Sequence, residues 1–192
     1  MYTGFFKLAY NGLGDLAVFI GFGPLMVYGA ALMQNLSIAP TQTIDPITTL
    51  LYATPVGIFI ALVLFINCFQ DYNADKAANK NSWVVKLAGP SNKANYRKPF
   101  SVWKNLMLLS FLLIVGASIY ANNYFTLIAL IPILIFSFAA KKGSEWLIEW
   151  EKEDANLQQL PYELLIVNVS TIGIHFLTGV LLTIGILLSV WI

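Results

Sequence analysis

Four stretches of this chain run without a single Asp, Glu, Lys, Arg or His: Leu16–Ile44, Pro46–Gln70, Asn105–Ala140 and Leu164–Ile174, the last resuming beyond His175 to Ile192. Their lengths decide the environment, because a helix needs roughly 20 apolar residues to cross a hydrocarbon core of about 30 Å. Charged residues make up 11% of the chain and its mean hydropathy is +0.71. A soluble domain carries about a quarter charged residues. The expected fold class is therefore an all-α, polytopic membrane helix bundle.

The Asn105–Ala140 stretch is too long for one crossing, since it extends about 54 Å at 1.5 Å per residue. The polar pair Asn122-Asn123 falls at its middle, which predicts a helical hairpin. Five spans follow, at about 14–34, 47–70, 102–121, 123–140 and 164–190, within a single membrane domain covering 1–192. All 11 basic residues lie on one side of that arrangement: Lys7 before the first span, seven between the second and third, and Lys141, Lys142 and Lys152 between the fourth and fifth. The positive-inside rule then places the N-terminus and both charged loops in the cytoplasm, with the plasma (inner) membrane as the expected location. No removable signal segment is evident at the Met1 end, and no nucleic-acid partner is expected.

The breakers in Gly21-Phe22-Gly23-Pro24 and Thr54-Pro55-Val56-Gly57 favour bent helices around a cavity. Gly12-Leu13-Gly14-Asp15 lacks the strand and third glycine of a nucleotide loop, and is read as a flexible turn that caps a helix through Asp15. Cys68 is the chain's one cysteine. It has no disulfide partner and is read as a small buried apolar residue. The segment Lys141–Glu163 reads as a solvated connector with i,i+4 ion pairs, Trp146 and Trp150 making it amphipathic at the membrane interface. His175, inside the last span, is expected to form an interhelical hydrogen bond.

The chemistry concentrates in Asn67-Cys-Phe-Gln-Asp71-Tyr-Asn-Ala-Asp75, where the second span meets the polar segment 71–101. On a helix, Asn67, Asp71 and Asp75 stack along one face, drifting by roughly 40° per step. Hard oxygens so placed suit Mg²⁺, which binds one or two carboxylates and takes its other ligands from water and substrate phosphate. Lys76 and Lys80 follow one turn apart, and a basic pair beside an acidic pair suits a metal–diphosphate complex. The simpler alternative is that the aspartates only terminate a helix. The distal Lys93, Arg97, Lys98 and Lys104 fit topology and attraction to membrane lipid headgroups.

The wider pattern Asn67-x-x-x-Asp71-x-x-x-Asp75-Lys76, followed by Lys80, Ser82 and Val84-Val85-Lys86-Leu87, resembles the second aspartate-rich motif of the UbiA-type intramembrane prenyltransferases. Within these the chain is most similar to the 1,4-dihydroxy-2-naphthoate polyprenyltransferases of menaquinone biosynthesis. The similarity rests also on Tyr2-Thr3-Gly4, Leu8 through Asp15, Val18-Phe19-Ile20 and Phe22-Gly23-Pro24. Towards the other end it rests on Asn168, Thr171, His175 and Thr178 through Leu182.

The resemblance implies part of a nine-helix fold, from just before the fifth helix onward. It implies Mg²⁺-dependent transfer from polyprenyl diphosphate to an aromatic acceptor, with loss of carbon dioxide when the acceptor is dihydroxynaphthoate. Asp71 and Asp75 would be the catalytic metal ligands, Asn67 a supporting ligand at the substrate, and Lys76 and Lys80 the diphosphate contacts. Departures are Asn79 where the family usually has Gly, Asn81 for Arg, Ser82 for Thr, and Asp15 for Glu. The first aspartate motif of the family, an Asn-Asp-x-x-Asp run, is absent from this sequence, so a separate N-terminal half carrying it is an expected partner and the chain alone is expected to be inactive. A noncatalytic membrane interaction protein derived from such an enzyme, or a cation-coupled transporter fragment, are the alternatives.

Overall fold

The structure, a computed structural model, describes residues 7–38, 44–89, 93–152 and 160–191. Tyr2-Thr3-Gly4, Glu153 and Asp154 lie outside these residues. The elements in chain order are α1 (Gly14–Ile20), a π-helical turn (Gly21–Leu25), α2 (Met26–Ile38), α3 (Pro46–Gln70), α4 (Tyr72–Ala77), α5 (Trp83–Ala88), α6 (Arg97–Tyr120), a 3₁₀ segment (Tyr124–Leu130), α7 (Ile133–Glu151), α8 (Leu160–Glu163) and α9 (Leu165–Trp191). No strand occurs among the described residues. Five helical stretches there are long and apolar enough to cross a membrane: Gly14–Ser37, Pro46–Gln70, Arg97–Tyr120, Tyr124–Glu151 and Leu165–Val190. The chain is an integral membrane helix bundle.

Helix α3 is the axle, packing against α1, the π-turn, α6 and α9. Its start is fixed by Asp45, whose carboxylate accepts from the Ile47 amide at 3.0 Å and the Thr48 hydroxyl at 2.6 Å, with Pro46 pre-set for the first turn. The first span crosses α3 at glycine. A Cβ on Gly23 would lie 2.7 Å from the Gly57 Cα, and one on Gly57 would lie 2.8 Å from the Phe19 carbonyl oxygen. Backbones approach this closely only where side chains are absent. Gly21–Leu25, where the breakers lie, is a π-turn, since Pro24 has no N–H to give to a tighter ladder.

Between α6 and the 3₁₀ segment the hairpin turns at Asn122-Asn123. Asn122 has φ +50°, its amide bonds the Ile119 carbonyl at 3.2 Å, and the Asn123 amide bonds the Ser118 carbonyl at 3.0 Å. This is the Schellman closure of a helix end, with asparagine in the left-handed position. The fourth span departs from a simple helix over 123–140. It begins as 3₁₀ and becomes α-helical only past Pro132, which cannot donate the bond that a continuous α-helix requires there. Thr126 Oγ1 meets Ser118 Oγ at 2.6 Å and Tyr52 OH at 3.2 Å, satisfying buried hydroxyls between three spans.

The two polar connectors are more structured than their composition suggests. Segment 71–101 contains α4, α5 and the first turn of α6, which begins at Arg97 instead of near residue 102. Helix α7 continues to Glu151, so much of the expected solvated connector is helix. Trp146 and Trp150 are buried against the rest of the protein, on the inward face of α7. They stack 5.7 Å apart and enclose Tyr96, whose ring centroid is 4.8 Å from that of Trp150. Their polar tips are bonded inside: Trp150 Nε1 to the Ala94 carbonyl at 2.7 Å and Tyr96 OH to the Phe69 carbonyl at 3.0 Å. A deep site of this kind tolerates Trp and Tyr because each polar tip finds a partner. The ion pairs on α7 are Lys142–Glu145 and Glu149–Lys152, at i,i+3, and Glu151 pairs across to Arg97 at 2.6 Å.

Gly57→Ala is expected to lower thermal stability in detergent by about 1–3 kcal/mol, because the new methyl meets backbone that cannot move aside. Gly29→Ala, with nothing within 4 Å of its Cβ position, serves as the control and is expected to be neutral or slightly stabilising. Equal melting shifts in the two variants would remove the close crossing.

Candidate functional site

The acidic triad does not lie on one unbroken helix. Helix α3 ends at Gln70, Asp71 occupies a turn, and Asp75 sits in α4. The Asp75 amide still bonds the Asp71 carbonyl at 2.7 Å, so one-turn spacing survives the break. The three side chains have different environments. Asn67 is half-buried and its Oδ1 accepts from Asn168 Nδ2 of α9 at 2.8 Å. Asp71 is exposed. Asp75 is buried; its Oδ1 accepts from Lys80 Nζ at 2.9 Å, and its Oδ2 is buried with no hydrogen-bond partner among the described residues.

The Lys80–Asp75 pair follows from how α4 ends. Asn79 takes φ +53°, its amide bonds the Lys76 carbonyl at 3.1 Å, and the Lys80 amide bonds the Asp75 carbonyl at 2.8 Å. This is the same Schellman closure as at Asn122. It reverses the chain so that Lys80 folds back over Asp75, where an extended exit would carry it away. Asn79 thus does the work usually given to Gly, as its tolerance of the left-handed region allows. Burial pulls the Lys80 ammonium pKa down, but the hydrogen bond to Asp75 and the charges of Asp75 and Asp71 outweigh it and leave it above its ordinary 10.5. Lys80 is therefore a cation throughout the neutral range, and its contribution to the pair is lost only as pH rises through that elevated value. Lys76 lies with its ammonium 5.8 Å from the Tyr72 ring centroid.

Lys80 also lines a largely apolar cavity of about 480 Å³, with Leu8, Ala17, Val18 and Leu64 among its walls. That volume falls in the usual range for small-molecule sites. Its outer wall, residues 8–14, is clipped to the segment after α4. Asn81 Nδ2 donates to the Tyr10 carbonyl at 3.0 Å, Trp83 Nε1 to the Gly12 carbonyl at 2.7 Å, and Lys86 Nζ to the Asn11 carbonyl at 3.1 Å. Gly12 has φ +72°, which holds its carbonyl toward Trp83. The expected flexible turn is therefore a pinned one. Asp15 does not cap α1, whose N-cap is Leu13. It lies in the first turn of α1, within electrostatic reach of Lys80 and Asp75, and lines a cavity with Trp83, the first residue of α5. It is 5% exposed. Sequence reasoning missed Asp15 at this site; the signal available was an acidic residue at the start of an otherwise uncharged span.

Two other expectations resolve simply. Cys68 is buried, as expected, and lines the same cavity. His175 Nδ1 is buried and makes no hydrogen bond among the described residues, in place of the interhelical bond expected. For a divalent cation, the donors present are Asp71 and the unpaired Oδ2 of Asp75; the Asn67 oxygen is already engaged by Asn168. Among the described residues no three His, Cys, Asp or Glu side chains group to hold a metal by themselves. The donor set fits Mg²⁺ as a partial one, since that ion takes few protein carboxylates and fills its shell from water and phosphate.

A membrane helix bundle with an acidic and basic cluster beside an apolar cavity defines the class. The profile of the UbiA prenyltransferase family matches residues 1–147, and the chain belongs to that family. It is 37% identical over 87 residues to 1,4-dihydroxy-2-naphthoate octaprenyltransferase of Escherichia coli, covering 45% of this chain and 26% of that protein. The namesake from Haemophilus influenzae is 32% identical over 140 residues, 71% of this chain and 42% of that protein. UbiA prenyltransferase domain-containing protein 1 of Xenopus tropicalis is 27% identical over 182 residues, 95% of this chain and 46% of that protein. The chain thus spans less than half the length of these curated relatives. No solved structure matches it.

Asn79→Val is expected to destabilise the α4 turn by about 1–2 kcal/mol, because a β-branched residue resists the left-handed conformation, whereas Asn79→Gly is expected to be neutral. Thermal unfolding of both variants in detergent checks this, and equal stability of the two would sink the Schellman account of Lys80.

Proposed function

We propose that this chain takes part in transfer of a polyprenyl group from polyprenyl diphosphate to an aromatic acceptor, 1,4-dihydroxy-2-naphthoate being the acceptor its relatives' names favour. The observation that carries the reading is Lys80, which pairs with Asp75 and at the same time lines the apolar cavity. One residue thereby touches both the charged cluster a diphosphate needs and the apolar space a prenyl chain needs.

The difficult step is breaking the allylic carbon–oxygen bond, whose electron pair leaves with the diphosphate. Lys80 and Lys76 stabilise that departing charge more strongly than the ester it came from, which lowers the barrier. Asp71 and Asp75 Oδ2 would hold Mg²⁺, which supplies further positive charge to the phosphate oxygens. Binding of the diphosphate gives Lys80 a second anion to bridge, and the buried Asp75 Oδ2 supplies the orphaned oxygen that a cation would satisfy. The apolar walls keep water from the allylic cation until the acceptor carbon attacks it. A first aspartate motif, supplied by helices outside this sequence, would hold the rest of the diphosphate charge. The charged end, with Lys7, the acidic cluster and Arg97, faces the cytoplasm in this reading, in the plasma membrane, as the basic asymmetry supports.

Prenyl transfer from radiolabelled polyprenyl diphosphate in membranes, with this chain alone and with a supplied N-terminal half, tests the reading. Asp71→Ala and Asp75→Ala are each expected to reduce Mg²⁺-dependent transfer by at least about 100-fold. Near-normal turnover in both would discard these residues as ligands. Orientation is checked separately in a Cys68→Ala background: Lys93→Cys is expected to label only from the cytoplasmic side and Asn123→Cys only from the opposite side. Labelling of both from one face would reject the topology.

A further inference from the structure

Asp15 is a buried carboxylate that the diphosphate chemistry above leaves unused. Its Oδ1 has no hydrogen-bond partner among the described residues, although the side chain is almost fully enclosed. Such an atom inside a membrane bundle is costly, and intramembrane carboxylates mark sites where a ligand or proton is handled. Its place in the first turn of α1 favours negative charge there.

What lies around Asp15 gives the ligand its character. The residue lines two cavities. The larger, about 480 Å³, is the one that Lys80 also lines. The smaller, about 180 Å³, is walled by Phe19, Ile58, Leu62, Phe65, Trp83 and Leu106, with Asp15 its acidic residue. Three aromatic rings and aliphatic side chains suit a flat apolar ring, and a single buried acceptor oxygen suits a hydroxyl on that ring. A diphosphate would be repelled by Asp15, so the anionic head group belongs on the Lys80 side.

We propose that Asp15 is a binding residue for a hydroxylated aromatic molecule, accepting a hydrogen bond from its phenolic O–H while the ring occupies the cavity of Phe19, Phe65 and Trp83. The assignment of that molecule as the prenyl acceptor rests on the prenyl-transfer reading. With the acceptor held there and the diphosphate at Lys80, the two reactants lie on opposite sides of one side chain. A phenol donating to a carboxylate gains electron density in its ring, and this makes the ring carbon a better nucleophile toward an allylic cation.

Calorimetric titration of the full chain in nanodiscs with 1-naphthol and with 1-methoxynaphthalene tests the proposal, using neither prenyl donor nor metal. The wild-type chain is expected to bind 1-naphthol at least about tenfold more tightly, the size expected of one hydrogen bond to a charged group. Asp15→Asn removes the charge and replaces one acceptor oxygen by an N–H₂ donor, and it is expected to abolish that preference. Equal binding of the two probes by the wild-type chain, binding of neither, or an unchanged preference in Asp15→Asn would each overturn it. Should Asp15→Asn fail to fold, the wild-type comparison decides by itself. Because no transfer is measured, a failed prenyltransferase assay and a failed hydroxyl preference are separate results.

Discussion

A backbone carbonyl or amide inside hydrocarbon has no water to fall back on, so every place where this chain stops being helical must satisfy its own orphaned groups. The structure meets that demand with few devices. Asp45 and Pro46 open α3, while Asn122 and Asn79 close α6 and α4 by the same Schellman geometry, each asparagine in the left-handed region. The consequences differ because the surroundings differ. At Asn122 the closure turns the chain back through the membrane; at Asn79 it turns Lys80 back onto Asp75 and so builds the charged cluster.

That cluster is stable because its parts are held from several elements at once. Asp75 comes from α4, Lys80 from the turn after it, Asp15 from α1, and Asn168 of α9 holds Asn67 of α3. The segment 8–14 closes over them through hydrogen bonds donated by Asn81, Trp83 and Lys86 to its carbonyls. Buried charge is expensive unless paired or hydrogen-bonded. Here one ammonium serves the fields of two carboxylates, and two carboxylate oxygens, Asp15 Oδ1 and Asp75 Oδ2, have no hydrogen-bond partner among the described residues. A site with unsatisfied buried acceptors beside a cation is arranged for ligands that bring donors or cations with them.

Much of this was legible beforehand, for particular reasons. The spans were readable because charge is excluded from hydrocarbon, and the Asn122-Asn123 hairpin because 36 uncharged residues exceed one crossing. The i,i+4 spacing of Asn67, Asp71 and Asp75 pointed to the cluster, and Asn79 stood out as a departure from the family's usual Gly. The burial of Trp146 and Trp150 was not legible, since tryptophan near a charged segment matches an exposed interfacial residue as well as a buried one. The difference lies in Tyr96, Ala94 and Phe69, distant in sequence, which supply the partners for burial. Asp15 misled for the same reason: four residues of local sequence look like a cap, and the residues that share its cavities, Phe65, Lys80 and Trp83 among them, are far along the chain.

The sequence by itself determined that the chain spans a membrane, how many times, which end carries the charge, and which residue types gather near the second span. Those properties depend on composition and on spacing within one helix, where the period of the backbone fixes what faces what. Only the tertiary structure decided that Lys80 folds onto Asp75, that Asn67 is engaged by Asn168, and that Asp15 stands between an aromatic cavity and the charged cluster. Each of these is a contact between segments whose relative placement is set by helix crossings such as Gly23 on Gly57, and close packing of that kind is a property of pairs of surfaces that no single stretch of sequence contains.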